Sequence, residues 1–252
     1  MADLYDILHL LDQTLEPGRF KDYCPNGLQV AGRREITSLV TGVSACVALF
    51  ERAAALGATM VFTHHGLLWH KDPGLVIGSH RQRLKILLDH DINLVSYHLP
   101  LDAHPVLGNN ARLLDLLGLT PGEPFGEYHG RPLSRMGHDP DGMDMAEFQR
   151  RLSQRLGPPT LVLDFGPTVI RQVAIVSGAA PELIREACLA GADLFVTGEV
   201  SEPLFHFARE EGIHVVAAGH HRSETLGVQA VGALLAERFE LPHHFVDIPN
   251  PL

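Results

Sequence analysis

The chain of 252 residues contains one block twice. At an offset of 134 residues, AALGATMVFTHH (54–65) lies over CLAGADLFVTGE (188–199), matching Gly57 to Gly191, Ala58 to Ala192 and Thr63 to Thr197. Each block runs on from a Val-rich segment and a small turn, LVTGVSACVALFERAA in the first half and VAIVSGAAPELIREAC in the second. Each then leads through a helical stretch to a third apolar strand, INLVSYHL (92–99) and IHVVAAGH (213–220). A β–α–β–α–β plan used twice restricts the chain to the α/β class. The strands are near-continuous apolar runs, as in a sheet covered on both faces, and strands joined by helices make parallel, right-handed units.

Local chemistry agrees with that plan. Leu4, Ile7, Leu8, Leu11 and Leu15 recur at helical spacing behind Asp3. Ser44 and Ser79 are expected as N-caps and Pro181 in a first helical turn, with Gly57, Gly191 and Gly212 where helices stop. Residues 121–170 read differently. Pro, Gly and Asp punctuate TPGEPFGEYHGRP and HDPDGM, and a helix follows in which Asp144 and Glu147 form a capping-box pattern closed by Gly157. The expected organisation is a first lobe over 1–120 and a second over 121–252. Within the second, 121–170 forms a variable subdomain or the opening of the lobe, and the C-terminal segment packs back on the first lobe.

Composition narrows the function. Hydrophobic residues make up 45% and charged residues 20%, ordinary for a globular protein. The net charge of −10 argues against a nucleic-acid surface, which wants clustered Lys and Arg. The densest basic runs, RQRLK (81–85) and RRLSQR (150–155), read as solvated helix faces. Cys24, Cys46 and Cys188 are odd in number and widely spaced, so they form neither a disulfide framework nor a CxxC zinc pair, and a reducing compartment follows. MADLYDILHLLDQTL carries acids and a helical period instead of a basic leader, and no apolar run approaches about 18 residues. A cytoplasmic chain with no membrane partner is the expectation.

The chemistry is concentrated at strand ends. In open parallel sheets, ligands bind beyond the carboxyl ends of the strands. His64 and His65 follow VFT, His98 and Asp102 follow NLVSY, Glu199 and Glu202 follow LFVT, and His220, His221 and Glu224 follow VVAA. Imidazoles with carboxylates and no thiolate suit one or two first-row transition metals, with zinc, iron and manganese all admissible. Each residue also has an ordinary reading. Asp102, bracketed by Pro100 and Pro105, can be a cap or a turn former. His220 and Glu224 at i, i+4 can share a helix face, or Ser223 can cap the helix and leave His220 in the preceding loop. GNN (108–110) can offer backbone donors to an anion or simply start a helix. His80, His90, His129 and His138 lie in polar stretches and read as surface residues.

Taken together, PNGLQVAG (25–32), FTHHGLLW, SYHLPLDAHPVLGNN, TGEVSE, AAGHHRSETLGVQA and FVDIPNP resemble the Nif-three-like family, the GTP cyclohydrolase I type 2-like proteins, across essentially the whole chain. The length resembles the short form without an inserted middle domain. The resemblance implies two interlocked α/β lobes with mostly parallel sheets, a dinuclear metal site between the lobes, and a ring-shaped homohexamer. By position it implies that His64, His65, Asp102, His220 and Glu224 ligate two divalent ions, with Asp102 and Glu224 able to bridge. His98 and His221 become the substrate-facing or proton-moving groups.

Two metals roughly 3.5–4 Å apart lower the pKa of a shared water towards about 7, which generates a hydroxide nucleophile. Five protein ligands for two ions leave open positions, the catalytic arrangement rather than the closed structural one. His98 or His221 can then move protons, and Glu199 can orient a ligand histidine. The expectation is a metal-dependent hydrolase acting on a small substrate, nucleotide- or pterin-like as the name of the resembled family implies. The alternatives are a metal storage or delivery protein and a regulatory scaffold, both without turnover. No GxxxxGK[ST] loop and no Arg cluster is present to hold a triphosphate.

Overall fold

The computed structural model describes residues 1–252 as two compact α/β units. Unit 1 comprises Met1–Leu101 and Gly227–Pro249, and unit 2 comprises Asp102–Leu226 and Asn250–Leu252. The division thus falls before the GNN helix rather than at 120/121, because that helix buries its leucines in the core of unit 2. No helix is long and apolar enough to cross a membrane.

In chain order, unit 1 holds β1 (Ala2–Asp3), α1 (Leu4–Leu15), β2 (Gly27–Val30), β3 (Glu35–Ile36), β4 (Leu39–Ser44), α2 (Val47–Ala55), β5 (Met60–His65), α3 (Gly78–Asp89) and β6 (Asn93–Ser96). The short α4 (Leu99–Ala103) leads into unit 2. Unit 2 holds α5 (Asn109–Leu117), β7 (Thr120–Tyr128), β8 (Arg131–Met143), α6 (Met145–Leu156), β9 (Leu161–Leu163), β10 (Ile170–Val176), α7 (Ile184–Leu189), β11 (Leu194–Thr197), α8 (Glu202–Glu211), β12 (His214–Ala217) and α9 (His220–Ser223). α10 (Thr225–Phe239) and β13 (His243–Phe245) then supply the returning segment of unit 1.

The sheet of unit 1 runs β13-β4-β5-β6-β2, parallel except for β2, which pairs antiparallel with β6. Its central strands β4, β5 and β6 are buried almost throughout. Leu49, Phe50 and Ala53 of α2 pack with Val40, Val61 and Leu94. Burying each of the larger of these side chains, Leu, Phe or Val, contributes about 1.5–3 kcal/mol. α1 forms as its periodicity predicts: Leu4, Ile7, Leu11 and Leu15 are buried, and the Tyr5 N–H donates to Asp3 Oδ1 at 2.8 Å. The Tyr97 hydroxyl beyond β6 donates to Asp12 Oδ1 at 2.5 Å, tying the helix to the strand end.

The sheet of unit 2 runs β7-β8-β10-β11-β12-β9, with β10, β11 and β12 parallel. The repeat is real at the level of register. Leu39 pairs with Met60 in unit 1, and Val173 pairs with Leu194 in unit 2, the same offset of 134 for both strands. Residues 121–170 are no separate subdomain: β8 joins the sheet beside β10, and β9 joins beside β12. Asp144 caps α6 through the Glu147 N–H at 2.8 Å, and Gly157 ends it.

Two expected caps are corrected. α2 starts at Val47 behind Cys46, with no side-chain cap, and Ser44 belongs to β4. α3 starts at Gly78, so Ser79 lies inside its first turn and caps nothing. Gly57, Gly191 and Gly212 do end helices, with positive φ of 67°, 78° and 67°.

Candidate metal centre

Each unit gathers its own group of ligand-type side chains. In unit 1, β5 ends in His64 and His65, and His98 follows β6. One ring nitrogen from each of the three lies within 4.8 Å of the others, a group able to hold a metal ion. Parallel pairing of β5 with β6 brings the two strand ends side by side.

Oxygen atoms fix the orientation of each ring. His64 Nδ1 lies 3.2 Å from the Tyr97 carbonyl, His65 Nδ1 lies 3.0 Å from Ser44 Oγ, and His98 Nδ1 lies 2.9 Å from Asp22 Oδ1. A carbonyl or a carboxylate only accepts, so in His64 and His98 the Nδ1 carries the hydrogen and the Nε2 lone pair faces the group. Asp22 is itself built in. Its Oδ2 accepts from Asn26 Nδ2 at 3.0 Å and from the Leu99 N–H at 2.9 Å, while Asn26 Oδ1 accepts the His98 N–H at 2.8 Å. Burial alone would raise the Asp22 carboxyl, but the hydrogen bonds from His98, Asn26 and the Cys24 N–H hold it below the usual carboxylate range.

The loop after β5 is pinned from the same segment. Gln29 Oε1 accepts the Leu67 and Leu68 N–H groups at 2.7 and 3.1 Å, and a Cβ on Gly66 would lie 2.2 Å from Gln29 Nε2. Trp69, the one tryptophan of the chain, then rests edge-on to His98 at 5.4 Å and tilted over His65 at 5.9 Å between ring centres.

Unit 2 supplies Asp102, His220 and Glu224. His220 opens α9 behind Gly219, and the i, i+4 spacing places its Nε2 3.2 Å from Glu224 Oε1. Ser223 is not a helix cap. Its Oγ donates to the His220 carbonyl and accepts the Gly178 N–H at 3.0 Å. An oxygen of Asp102 lies within 4.8 Å of one of Glu224. Asp102 Oδ1 accepts from Asn109 Nδ2 at 2.8 Å and from Ser177 Oγ at 3.2 Å. Asn110 ties the same region together, donating to the Leu133 carbonyl at 2.6 Å and accepting the Ser177 N–H at 2.7 Å. The asparagines of GNN thus hold Asp102 and its surroundings.

Glu199 closes on His220 Nδ1 in a short hydrogen bond. His220 therefore has a carboxylate at each ring nitrogen. Burial alone would lower its pKa, but the hydrogen bonds and charges of Glu224 and Glu199 prevail and raise it to about 9.

The remaining candidates stand apart. His221 is buried, its N–H donates to the Leu252 carbonyl, and it is in none of the metal-capable groups. Glu202 is exposed in the first turn of α8. His90 and His129 are exposed as expected, whereas His80 and His138 are half-buried. Sequence reasoning missed Asp22, Asn26, Ser44, Asn109 and Ser177 as supports of the site. Only Asn26 and the GNN asparagines fall within the family-like motifs, and nothing about a lone Asp or Ser in the sequence marks it as a support of the site.

Known proteins resemble the chain along its whole length. A GTP cyclohydrolase 1 type 2 homolog of Pseudomonas aeruginosa is 44% identical over 95% of both chains. The Escherichia coli K12 protein of the same name is 43% identical over 98% of both. Among solved structures, protein ybgI, described as of unknown function, superposes with a TM-score of 0.94 at 42% identity over 100% of both chains. TTHA1606 from Thermus thermophilus gives 0.91 at 36% identity, also over 100% of both chains. Reduced HcgD from Methanocaldococcus jannaschii shares the fold, with a TM-score of 0.85 at 24% identity over 98% of both chains. The profile of Duf34/NIF3 (NGG1p interacting factor 3) matches residues 2–251, so the chain belongs to that family.

Proposed function

We propose that the protein is a metal-dependent hydrolase that binds two divalent transition-metal ions per chain, zinc, iron or manganese, through His64, His65, Asp102, His220 and Glu224. One observation carries this reading: each candidate histidine, His64, His65, His98 and His220, has its Nδ1 engaged by an oxygen partner. That is how proteins orient ligand imidazoles, leaving Nε2 for the metal. The donor chemistry fits as well. The site is built of imidazoles and carboxylates, and burial pushes the Cys24 thiol up to about 11, which keeps it a neutral thiol rather than a thiolate ligand.

When bound, the ions supply a water acidified enough to attack at neutral pH. The chain supplies the rest. Asp22 holds His98 with its Nε2 directed into the group, positioned to take or return a proton, and Glu199 keeps His220 in its ligating tautomer. His221 is the second candidate for proton transfer. A nucleotide- or pterin-like substrate is suggested by the name that the relatives bear. The quaternary form proposed is a homohexameric ring, supported by the exposed apolar run Leu75, Val76 and Ile77, 60%, 53% and 67% accessible in one chain.

Elemental analysis by mass spectrometry on protein purified without chelator tests the reading first. About two ions per chain in the wild type, with a loss in His64→Ala, supports it. Glu224→Gln should then abolish turnover in a hydrolase screen while the fold survives. Bound, exchangeable metal without turnover on any substrate would favour storage or delivery. A chain that takes up no metal even after reconstitution would leave only the scaffold reading.

A further inference from the structure

The turn of unit 2 that carries His220 and Glu224 is short. α9 holds four residues, begins behind Gly219 without a side-chain cap, and has Glu224 at its C-cap. A single helical turn fixes several dihedrals for very few hydrogen bonds, so it does not hold its own direction. Contacts outside α9 must set where the His220 ring goes. Ser223 supplies one, its Oγ accepting the Gly178 N–H at 3.0 Å. Its chain neighbour Arg222 supplies another, towards a different part of unit 2.

The guanidinium of Arg222 reaches the segment between α6 and β9. Its Nη1 donates to the Leu156 carbonyl at 3.2 Å and to the Pro158 carbonyl at 2.6 Å. Leu156 is the last residue of α6, and the final carbonyls of a helix lack partners within it and carry the negative end of its dipole. The receiving segment is itself fixed to the strand that leads into α9. The Thr160 N–H donates to the Ala217 carbonyl at 2.8 Å, and Leu161 pairs with Ala217 across β9 and β12. Arg222 thus has backbone carbonyls for partners, where Arg150 and Arg151 have the Glu147 carboxylate.

The same guanidinium lies over Gly219. That residue has φ of +95°, a region that favours glycine, and a Cβ built on it would lie 2.8 Å from Nε and 3.0 Å from Nη2 of Arg222. The head group of Arg222 therefore fills the place a side chain at 219 would take, and it restricts the bend from β12 into α9. His220 follows that bend directly. The 3.2 Å between its Nε2 and Glu224 Oε1 depends on the direction in which α9 leaves it.

We infer that Arg222 is a positioning residue for metal binding, aiming His220 by holding Gly219 against the end of α6. The inference rests on the proposed assignment of His220 as a ligand. A guanidinium has no acceptor and ligates no cation, so Arg222 acts through the turn.

The test is zinc affinity, measured by competition with a chromophoric chelator. Arg222→Ala should weaken it about tenfold. Removal of a positive charge would by Coulomb's law alone strengthen cation binding, so a weakening has the sign of lost positioning. Asp144→Ala is the control, because it loosens α6 at its other end, and it should leave zinc affinity unchanged. Arg222→Lys keeps the charge and can reach one carbonyl without the planar fork, and should bind zinc within about threefold of wild type. Zinc binding in Arg222→Ala that equals or exceeds that of wild type overturns the inference. So does an equal loss in Asp144→Ala, which would assign the effect to the stability of α6. Should Arg222→Ala not fold, the loss of about threefold in Arg222→Lys against an unchanged Asp144→Ala carries the same decision. A wild-type chain that takes up no zinc defeats the metal reading alone. Hydrogen–deuterium exchange of the metal-free protein then decides the role of Arg222. The Ser223 amide, bonded to the Gly219 carbonyl, should exchange about tenfold faster in Arg222→Ala and at the wild-type rate in Asp144→Ala. Unchanged exchange in Arg222→Ala overturns the inference.

Discussion

A histidine becomes a useful ligand when something else decides which nitrogen it presents. Here the Tyr97 carbonyl, Asp22 and Glu199 make that decision for His64, His98 and His220, while the Ser44 hydroxyl, able to donate or accept, occupies Nδ1 of His65. Glu199→Gln keeps the shape but weakens the hold on His220 Nδ1, and metal affinity measured by competition with a chromophoric chelator should fall about 10- to 100-fold. His220 also makes metal uptake depend on pH. Its pKa of about 9 means that below this a proton occupies the nitrogen that the metal needs. Affinity should therefore rise with pH up to about 9, with about one proton released per chain near pH 7.5, read by calorimetry in buffers of different ionisation enthalpy. The stability of chelator-treated protein should move the other way. A pKa raised from 6.5 to about 9 stabilises the fold fully below 6.5, and that contribution is lost as pH rises through about 9. Thermal melts should show this decline, and His220→Gln should flatten it. The histidines and acids are legible in sequence because clustered imidazoles at strand ends are chemically conspicuous. Their supports are not. Ser44 has the composition of a cap, although its hydroxyl serves His65.

At the scale of elements, the repeat predicts the parallel strands well, because apolar runs between helices have few other places to go. The β7–β8 hairpin is hidden, because Pro121, Pro124 and Gly122 read as loop punctuation. β7 lies at the edge of the sheet, where proline is tolerated for want of a partner on its outer side. The cap of α6 follows from Asp144 and Glu147 as expected, and Asp144→Ala should cost about 1 kcal/mol in urea unfolding. The turn after β10 is the more delicate element. Gly178 has φ of +67°, and a Cβ there would lie 2.4 Å from Glu224 Oε1. Gly178→Ala should cost about 1–2 kcal/mol in backbone strain. It should also displace Glu224, so that metal content falls in protein that still melts cooperatively.

At the scale of the molecule, the order of elements can be read along the chain, but the division into units cannot. Residues 227–249 return to unit 1 because β13 pairs with β4, a contact between positions some 200 residues apart that no local pattern announces. If the chain assembles as proposed, replacing Ile77 with Asp should dissociate it to smaller species in analytical ultracentrifugation, because a charge would enter the apolar run Leu75–Ile77. Trp69 sits against His65 and His98 and is the only indole in the protein. Its light emission consequently comes from one place, beside two rings whose charge and ligation the metal would control. Ion loading, proton release and chelation can therefore be followed optically in the unlabelled wild-type chain, with Trp69→Phe as the blank.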